Sequence, residues 1–452
     1  MGRPLSKAKP MTKEQARAAA FGASPPLVGT VRVPGDKSIS HRALMIAAMA
    51  LGRSRIEGLS NGADVRSTAA ALRAMGVRIE RAGDAWEVDG VGTGGLRQPA
   101  AALDMGNSGT SARLLMGLSA SHDLVAAFTG DSSLSGRPMN RAIAPLRRIG
   151  AEIAASPGGR LPLIVRGLCP AVPLTHVMAV PSAQVKSALL LAGLNIPGTT
   201  RIVEPVATRD HSERMLRAFG AEIRVDGEEI ALTGEANLGA RTVLVPGDSS
   251  AAAFLAVAAL VVPGSDLRID GVGINPGRTG LFDVLREMGA DLAFEDVREA
   301  AGEPVADLRV RHSPLRAVEV PPHAAPAMID EFPIFFIAAS FAEGTSRARG
   351  LAELRVKESD RLAVMAEGLE AIGVEVEEWQ DGLAIAGSGG APRTGGARID
   401  PRLDHRIAMS FAVAGLHCAR PIEVADMAPA DTSFPGFEAL IRSLGEGRSP
   451  AE

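Results

Sequence analysis

The chain has 452 residues, 46% apolar and 22% charged, the composition of a soluble globular protein that is too long for one core. A net charge of −4 excludes bulk attraction to nucleic acid or anionic lipid, so neither is an expected partner. No apolar run predicts a membrane span, and the two cysteines, Cys169 and Cys418, stand outside any metal or redox spacing, which points to a reduced, cytoplasmic setting and to no metal site.

Residues 1–25 lack the apolar stretch of a signal peptide and read as a flexible extension with one helical turn. From Val33 the chain writes VPGDKSISHRALMIAAMA, a turn opening a helix that is apolar almost all round. Five later segments repeat the form: DMGNSGTSARLLMGL, VPSAQVKSALLLAGL, VPGDSSAAAFLAVAAL, AMIDEFPIFFIAAS and RLDHRIAMSFAVAGL. They recur every 65 to 80 residues or so, a longer period than common solenoid repeats. Behind each comes an amphipathic helix such as STAAALRAMGVRIE or SERMLRAFGAEIRV, usually closed by glycine, and alternating β-like residues follow most of them.

The unit is therefore strand, helix, strand, helix, strands, an α/β (α+β) class whose first helix is buried and whose second is more exposed. Six copies divide into two domains of three. The VPGD frame opens units one and four, which places crossovers near residues 34 and 247. The expected domains are 35–247 for units one to three, and 26–34 plus 248–452 for units four to six.

Arginine is the default cation here: of 48 basic residues, six are lysines, at positions 7, 9, 13, 37, 186 and 357. A lysine inside the globular part therefore marks a need for a compact ammonium. Where unit one has Lys37, the other units have Gly or Ser, Gln184, Ser249, Glu331 and His405. A helix N-terminus offers free N–H groups and partial positive charge, so a cation there works against the dipole unless an anion lies between them. Lys37, Ser38 and Arg42 thus point to a bound phosphate or carboxylate, against the plainer reading of a serine-capped, solvated helix start.

Two further clusters join cations to acids. DEFP puts Asp330 and Glu331 at the start of an apolar helix, where an acid also serves as cap. LRVKESDRL, at helical spacing, puts Lys357 and Arg361 on one face with Glu358 beside them, which is also the pattern of a solvated charged face. Arg137 stands just ahead of a helix and Arg406 on a buried one; a buried arginine needs an anion.

Taken together, PGDKSISHRALMIAAMALG, GNSGTSARLL, RPMNRAIAPLRRIGA, PSAQVKSALLLAGL, TRDHSERML, IDEFP, LRVKESDRL and LDHRIAMSF closely resemble, in order and from about residue 27 to 440, the EPSP synthase (3-phosphoshikimate 1-carboxyvinyltransferase) family, nearest its class II branch. The resemblance implies transfer of the enolpyruvyl group of phosphoenolpyruvate to the 5-hydroxyl of shikimate 3-phosphate. Phosphate leaves by addition and elimination through a tetrahedral intermediate, in chorismate and aromatic amino acid biosynthesis, without metal or organic cofactor. It also implies a monomer with the two-domain enolpyruvyl transferase fold, each domain three βαβαββ units in an inverse α/β barrel, closing like a clamp.

By matching motif, the resemblance makes Lys37 a contact of both substrates. Ser38, Arg42, Ser182, Ala183, Gln184 and Arg209 would hold shikimate 3-phosphate, with Asp330 and Lys357. Gly109, Arg137, Gln184, Arg361 and Arg406 would surround phosphoenolpyruvate. Asp330 would take the 5-hydroxyl proton, and Glu358 would pass a proton to and from the methylene carbon. Clustered cations lower such carboxylate pKa values and burial raises them; the motifs leave the balance open.

The chain departs from the family pattern at three places. Many members carry a lysine where this chain has Thr432, and a tyrosine near the shikimate phosphate where this chain has no tyrosine at all. Arg209 resembles the branch associated with glyphosate tolerance, but tolerant members have alanine at the position of Gly109, so ordinary or intermediate sensitivity is implied. Two other readings compete. A sister transferase acting on UDP-N-acetylglucosamine shares the architecture but uses a mobile-loop cysteine, and neither Cys169 nor Cys418 lies in such a motif. A non-catalytic repeat scaffold accounts for six units, but not for the places where Lys37, Asp330 and Glu358 break the repeat.

Overall fold

The computed structural model describes residues 16–446. Among the described residues, each of six units contributes two helices of eight residues or more. They are α1 Lys37–Met49, α2 Ala63–Ala74, α3 Gly109–Ala120, α4 Asn140–Arg148, α5 Ala183–Gly193, α6 His211–Ala218, α7 Ser249–Val261, α8 Gly280–Glu287, α9 Phe332–Phe341, α10 Arg361–Ala371, α11 His405–Gly415 and α12 Phe437–Gly445. The odd-numbered helices are the buried ones. Every residue of α7 and α9 is buried, which their all-round apolar sequences require. The even-numbered helices bury one face; in α8 it is Leu281, Phe282, Val284 and Leu285.

Four units build the same four-stranded sheet, and in unit one the sheet has the same order with a fifth strand. In unit three, Thr175–Val177 runs parallel to Thr199–Val203, which pairs antiparallel with Glu229–Thr233, itself antiparallel to Ile223–Asp226. The parallel pair spans the buried helix, and the hairpin follows the amphipathic one. This is the mixed α/β unit read from the sequence, and its copies enclose two hydrophobic cores. One gathers residues between Ile39 and Val245; the other gathers Ala19 to Val33 and Ala251 to Leu444.

Unit six differs, and the difference corrects the reading of the N-terminus. Its strand Ile422–Val424 is parallel to Arg398–Ile399, as expected, but the antiparallel partner is Ala19–Phe21 from the start of the chain. Ala19 and Phe21 are buried there, so the flexible extension expected over 1–25 does not reach residue 25. Burying the Phe21 ring supplies the driving force. The remainder of that expectation, residues 1–15, lies outside the described residues.

The VPGD frames mark an exchange of strands. Val28–Arg32, which leads into α1, pairs with Asp266–Gly273 of unit four, whereas Leu238–Gly239 and Thr242–Leu244, which lead towards α7, pair with Ala50–Glu57 of unit one. The two crossing segments hydrogen-bond reciprocally: Asp36 N–H donates to Pro246 O (2.7 Å) and Asp248 N–H to Pro34 O (2.9 Å). Asp36 caps α1 through Ile39 N–H, while Asp248 caps α7 through Ser250 N–H and also accepts from Lys37 N–H at 3.0 Å. Gly35 has no alternative, because a Cβ would lie 1.8 Å from Gly58 O. Gly35→Ala is therefore expected to cost more than about 3 kcal/mol, while Gly239→Ala, which meets nothing within 4 Å, stays near neutral. Chemical denaturation of the two variants checks this, and equal stability would contradict the crossing geometry.

Candidate active site

The N-termini of the buried helices bring the charged candidates together. Lys37, the first residue of α1, reaches Asp64 Oδ2 at 3.0 Å. One turn on, Arg42 is buried and donates to Ser212 Oγ (2.8 Å), Ser187 Oγ (2.6 Å) and the carbonyl of Ser38 (2.8 Å). Burial, and then the charge of Arg209, lower its pKa to about 10.

Gly109 opens α3 with Ser108 as its cap, and Ser182 caps α5, putting Ala183 and Gln184 at the first turn. Gln184 joins these helices: its Oε1 accepts from Arg113 Nη1 (2.9 Å) and its Nε2 donates to Thr110 Oγ1 (3.0 Å). Arg113 was not anticipated. The signal available was an arginine four residues after Gly109 on an otherwise apolar helix.

From units four to six come the acids. Arg209 Nη2 meets Asp330 Oδ2 at 2.6 Å, Arg361 Nη1 meets Asp330 Oδ1 at 3.4 Å, and Lys357 Nζ lies 3.7 Å from the same oxygen. Arg361 also bonds Glu358 Oε2 (2.6 Å) and Asp404 Oδ2 (2.8 Å), and Arg137 reaches Glu358 Oε1 at 3.4 Å. Arg406 Nη1 stands 3.4 Å from Glu331 Oε1. Arg137 and Arg209 belong to units two and three, so these ion pairs bridge the two halves of the chain.

Two local expectations change. Lys357 and Glu358 do not share a helical face with Arg361: α10 begins at Arg361, because Asp360 accepts from Ala363 N–H and caps it there. Glu331 does not cap α9; its carboxylate turns to Ser250 and Arg406 instead. Ser38, Ser182 and Ala183 join the cluster through backbone and cap hydrogen bonds. Thr432 supplies no cation, and its hydroxyl donates to Pro429 O (2.8 Å).

The balance left open by the motifs falls to the cations. Burial alone would raise the Asp330 carboxyl, but Lys357, Arg209, Arg406 and Arg361 outweigh it and hold it well below the usual range. Burial likewise opposes ionisation of Glu358, and Arg361, Arg137 and Lys37 overcome it. His405 is pushed well below its ordinary value by burial and by Lys37, so it is neutral at pH 7. Among the side chains just described, Lys37, Arg42, Arg113, Arg137, Arg209, Lys357, Arg361 and Arg406 outnumber Asp64, Asp330, Glu331, Glu358, Asp360 and Asp404, a set in which an anion finds several cationic partners.

Both depressed carboxylates contribute stability that is complete above their ordinary values of 3.8 and 4.5 and is lost as pH falls towards the folded values. Unfolding free energy is therefore expected to decline below about pH 5, and Asp330→Asn to remove part of that slope. Denaturant titrations from acid to neutral pH measure it; an unchanged slope in the variant would contradict the ion pairing.

Two three-unit domains meeting at a cation-lined site define an enolpyruvyl transferase fold. The solved structure of the enolpyruvyl transferase NikO from Streptomyces tendae shares it at a TM-score of 0.76 and 20% identity, covering 95% of this chain and 98% of that one. At 44% identity, EPSP synthase from Acinetobacter baumannii superposes with a TM-score of 0.84 over 95% of this chain and 98% of its own. The family model described as EPSP synthase (3-phosphoshikimate 1-carboxyvinyltransferase) matches residues 22–441. A 3-phosphoshikimate 1-carboxyvinyltransferase of Sphingopyxis alaskensis is 60% identical over 96% of this chain and 100% of that protein, and one of Novosphingobium aromaticivorans is 57% identical over 94% and 98%. The chain belongs to the EPSP synthase family. It is thus an enzyme of the shikimate pathway whose substrates are phosphoenolpyruvate and shikimate 3-phosphate, which decides against both the UDP-N-acetylglucosamine acceptor and the scaffold.

Proposed function

We propose that the enolpyruvyl transfer takes place where the ion pairs bridge the two halves of the chain, with Asp330 as base and Glu358 as the group that exchanges a proton with the methylene carbon. The observation that carries this reading is the convergence of cations from units one to three and units four to six on these two carboxylates. Ser38, Arg42, Ser182, Ala183, Gln184, Arg209 and Lys357 hold shikimate 3-phosphate. Gly109, Arg137, Gln184, Arg361 and Arg406 hold phosphoenolpyruvate, and Lys37 touches both.

The ionisation states support those roles. Asp330 is held ionised by its cations, as a base for the 5-hydroxyl proton must be. Glu358 begins ionised too, and so must gain a proton before it can give one to carbon. The phosphate and carboxylate of phosphoenolpyruvate supply the means: once they pair with Arg137, Arg361 and Lys37, those cations pull less on Glu358 and its proton affinity rises. Protonating the methylene makes a cation-like carbon, which the 5-oxygen attacks after Asp330 takes its proton. Phosphate then leaves with the bonding pair of its C–O bond and takes up the proton that Asp330 had accepted, and return of the methyl proton to Glu358 completes the elimination.

The domain split at residues 34 and 247, a monomeric state and a cytoplasmic location are parts of the same proposal. Phosphate release from phosphoenolpyruvate is expected with shikimate 3-phosphate and not with UDP-N-acetylglucosamine, and Lys37→Ala should lower it at least about a hundredfold. Unchanged release in that variant would remove Lys37 from the site.

Gly109 supports ordinary or intermediate glyphosate sensitivity. A Cβ there would stand 2.7 Å from Arg113 Nη1 and 3.4 Å from Arg137 Nη1, so a methyl intrudes directly beside two cations of the anion site. Gly109→Ala is expected to raise the inhibitory concentration of glyphosate about tenfold, a change of about 1.4 kcal/mol. Inhibition assays on both proteins check it, and equal inhibition would count against the assignment.

A further inference from the structure

Lys186 is a lysine of the globular part that the reaction leaves without a role. It lies on α5, is 1% exposed, and its ammonium is surrounded by three acceptors: Glu213 Oε1 at 2.7 Å, Glu204 Oε2 at 2.8 Å and Thr208 O at 3.3 Å. An ammonium has three N–H bonds directed at separate acceptors, whereas the planar guanidinium fork has no such arrangement. That accounts for lysine in a chain that otherwise favours arginine.

The three acceptors have one thing in common. Glu204 begins the irregular segment that carries Arg209, Thr208 directly precedes Arg209, and Glu213 lies in the first turn of α6, which follows it. Glu204 also accepts from the Thr208 hydroxyl, closing the segment on itself. Next to Lys186, Ser187 bonds Ser212 at 2.7 Å, and both serines accept from Arg42. Through Asp210, the far side of the segment takes a hydrogen bond from Asn275 at 2.7 Å. The backbone at Arg209 is thus held from below by one buried ammonium while its guanidinium reaches across to Asp330.

We infer that Lys186 is a positioning residue for shikimate 3-phosphate: by drawing Glu204, the Thr208 carbonyl and Glu213 to one point it fixes the backbone from which Arg209 meets the substrate's phosphate. The inference rests on the assignment of Arg209 made above. A residue that merely filled the core would affect both substrates alike through stability. One acting through Arg209 affects shikimate 3-phosphate selectively and loses its effect when the guanidinium is gone.

Steady-state kinetics on the full chain separate these cases. Lys186→Met is expected to raise KM for shikimate 3-phosphate about tenfold and to change KM for phosphoenolpyruvate less than about twofold. Arg209→Ala alone should raise the first KM, and adding Lys186→Met to it should change that KM by less than about twofold. Thr208→Val, which removes only the hydroxyl bond to Glu204, should shift the same KM in the same direction and carries the test if Lys186→Met fails to fold. Equal rises in both KM values, no rise in either single variant, or multiplicative losses in the double variant would overturn the role of Lys186. An unchanged KM in Arg209→Ala would overturn the assignment of Arg209, and the positioning role with it.

Discussion

The whole arrangement depends on one buried guanidinium. Arg278, 4% exposed, donates to Asp248 Oδ1 at 3.1 Å and stands 3.7 Å from Asp36 Oδ2, so it joins the caps of α1 and α7 at the point where the chain crosses twice. Burial opposes its charge, but Asp36 and Asp248 more than restore it. Asp248, the nearer partner, is held ionised against burial by Arg278 and by the Lys37 N–H, whereas burial and the charge of Asp248 raise the Asp36 carboxyl. Removing one member of such a group leaves the others buried and unpaired, which costs far more than the pairing itself is worth. The repeated VPGD frame is therefore a requirement of the crossing, and the crossing sets the backbone of Lys37 against Asp248.

Once those helix starts are fixed, the repeat does the rest. Each odd-numbered helix brings its N-terminus, with its partial positive charge, to the same region as Lys37, Gly109, Gln184, Ser249, Glu331 and His405. The dipoles and the excess of cations act in one direction. They oppose burial of positive charge by itself, favour doubly anionic substrates, and keep Asp330 and Glu358 ionised although both are enclosed. One fold repeated six times can thus carry one site, since the chemistry lies in the residues that differ between copies.

Much of this was legible in the residues. Buried helices such as AAAFLAVAAL and the glycines that close their amphipathic partners show the six units, and the rarity of lysine singles out Lys37, Lys186 and Lys357. Ala19–Phe21 was not legible, because three residues carry no period and their partner strand lies some four hundred positions away. The helical spacing at Lys357 and Arg361 misled because Asp360 takes the cap and starts the helix later. Asp64, Arg113 and Asp404 were missed as partners for a general reason. An ion pair between distant residues is a fact of tertiary structure, and so is the outcome of the contest between burial and charge at Glu358.

That contest also makes the account testable at one atom group. If the cations hold Glu358 ionised until anions arrive, its carboxyl carbon, followed by NMR in selectively labelled protein, titrates well below 4.5 in the free enzyme. Its pKa then rises when shikimate 3-phosphate and inorganic phosphate, a non-reacting pair of anions, are bound. A Glu358 that titrates at or above the ordinary carboxylate value in the free enzyme, or whose pKa does not respond to the two anions, would contradict the account.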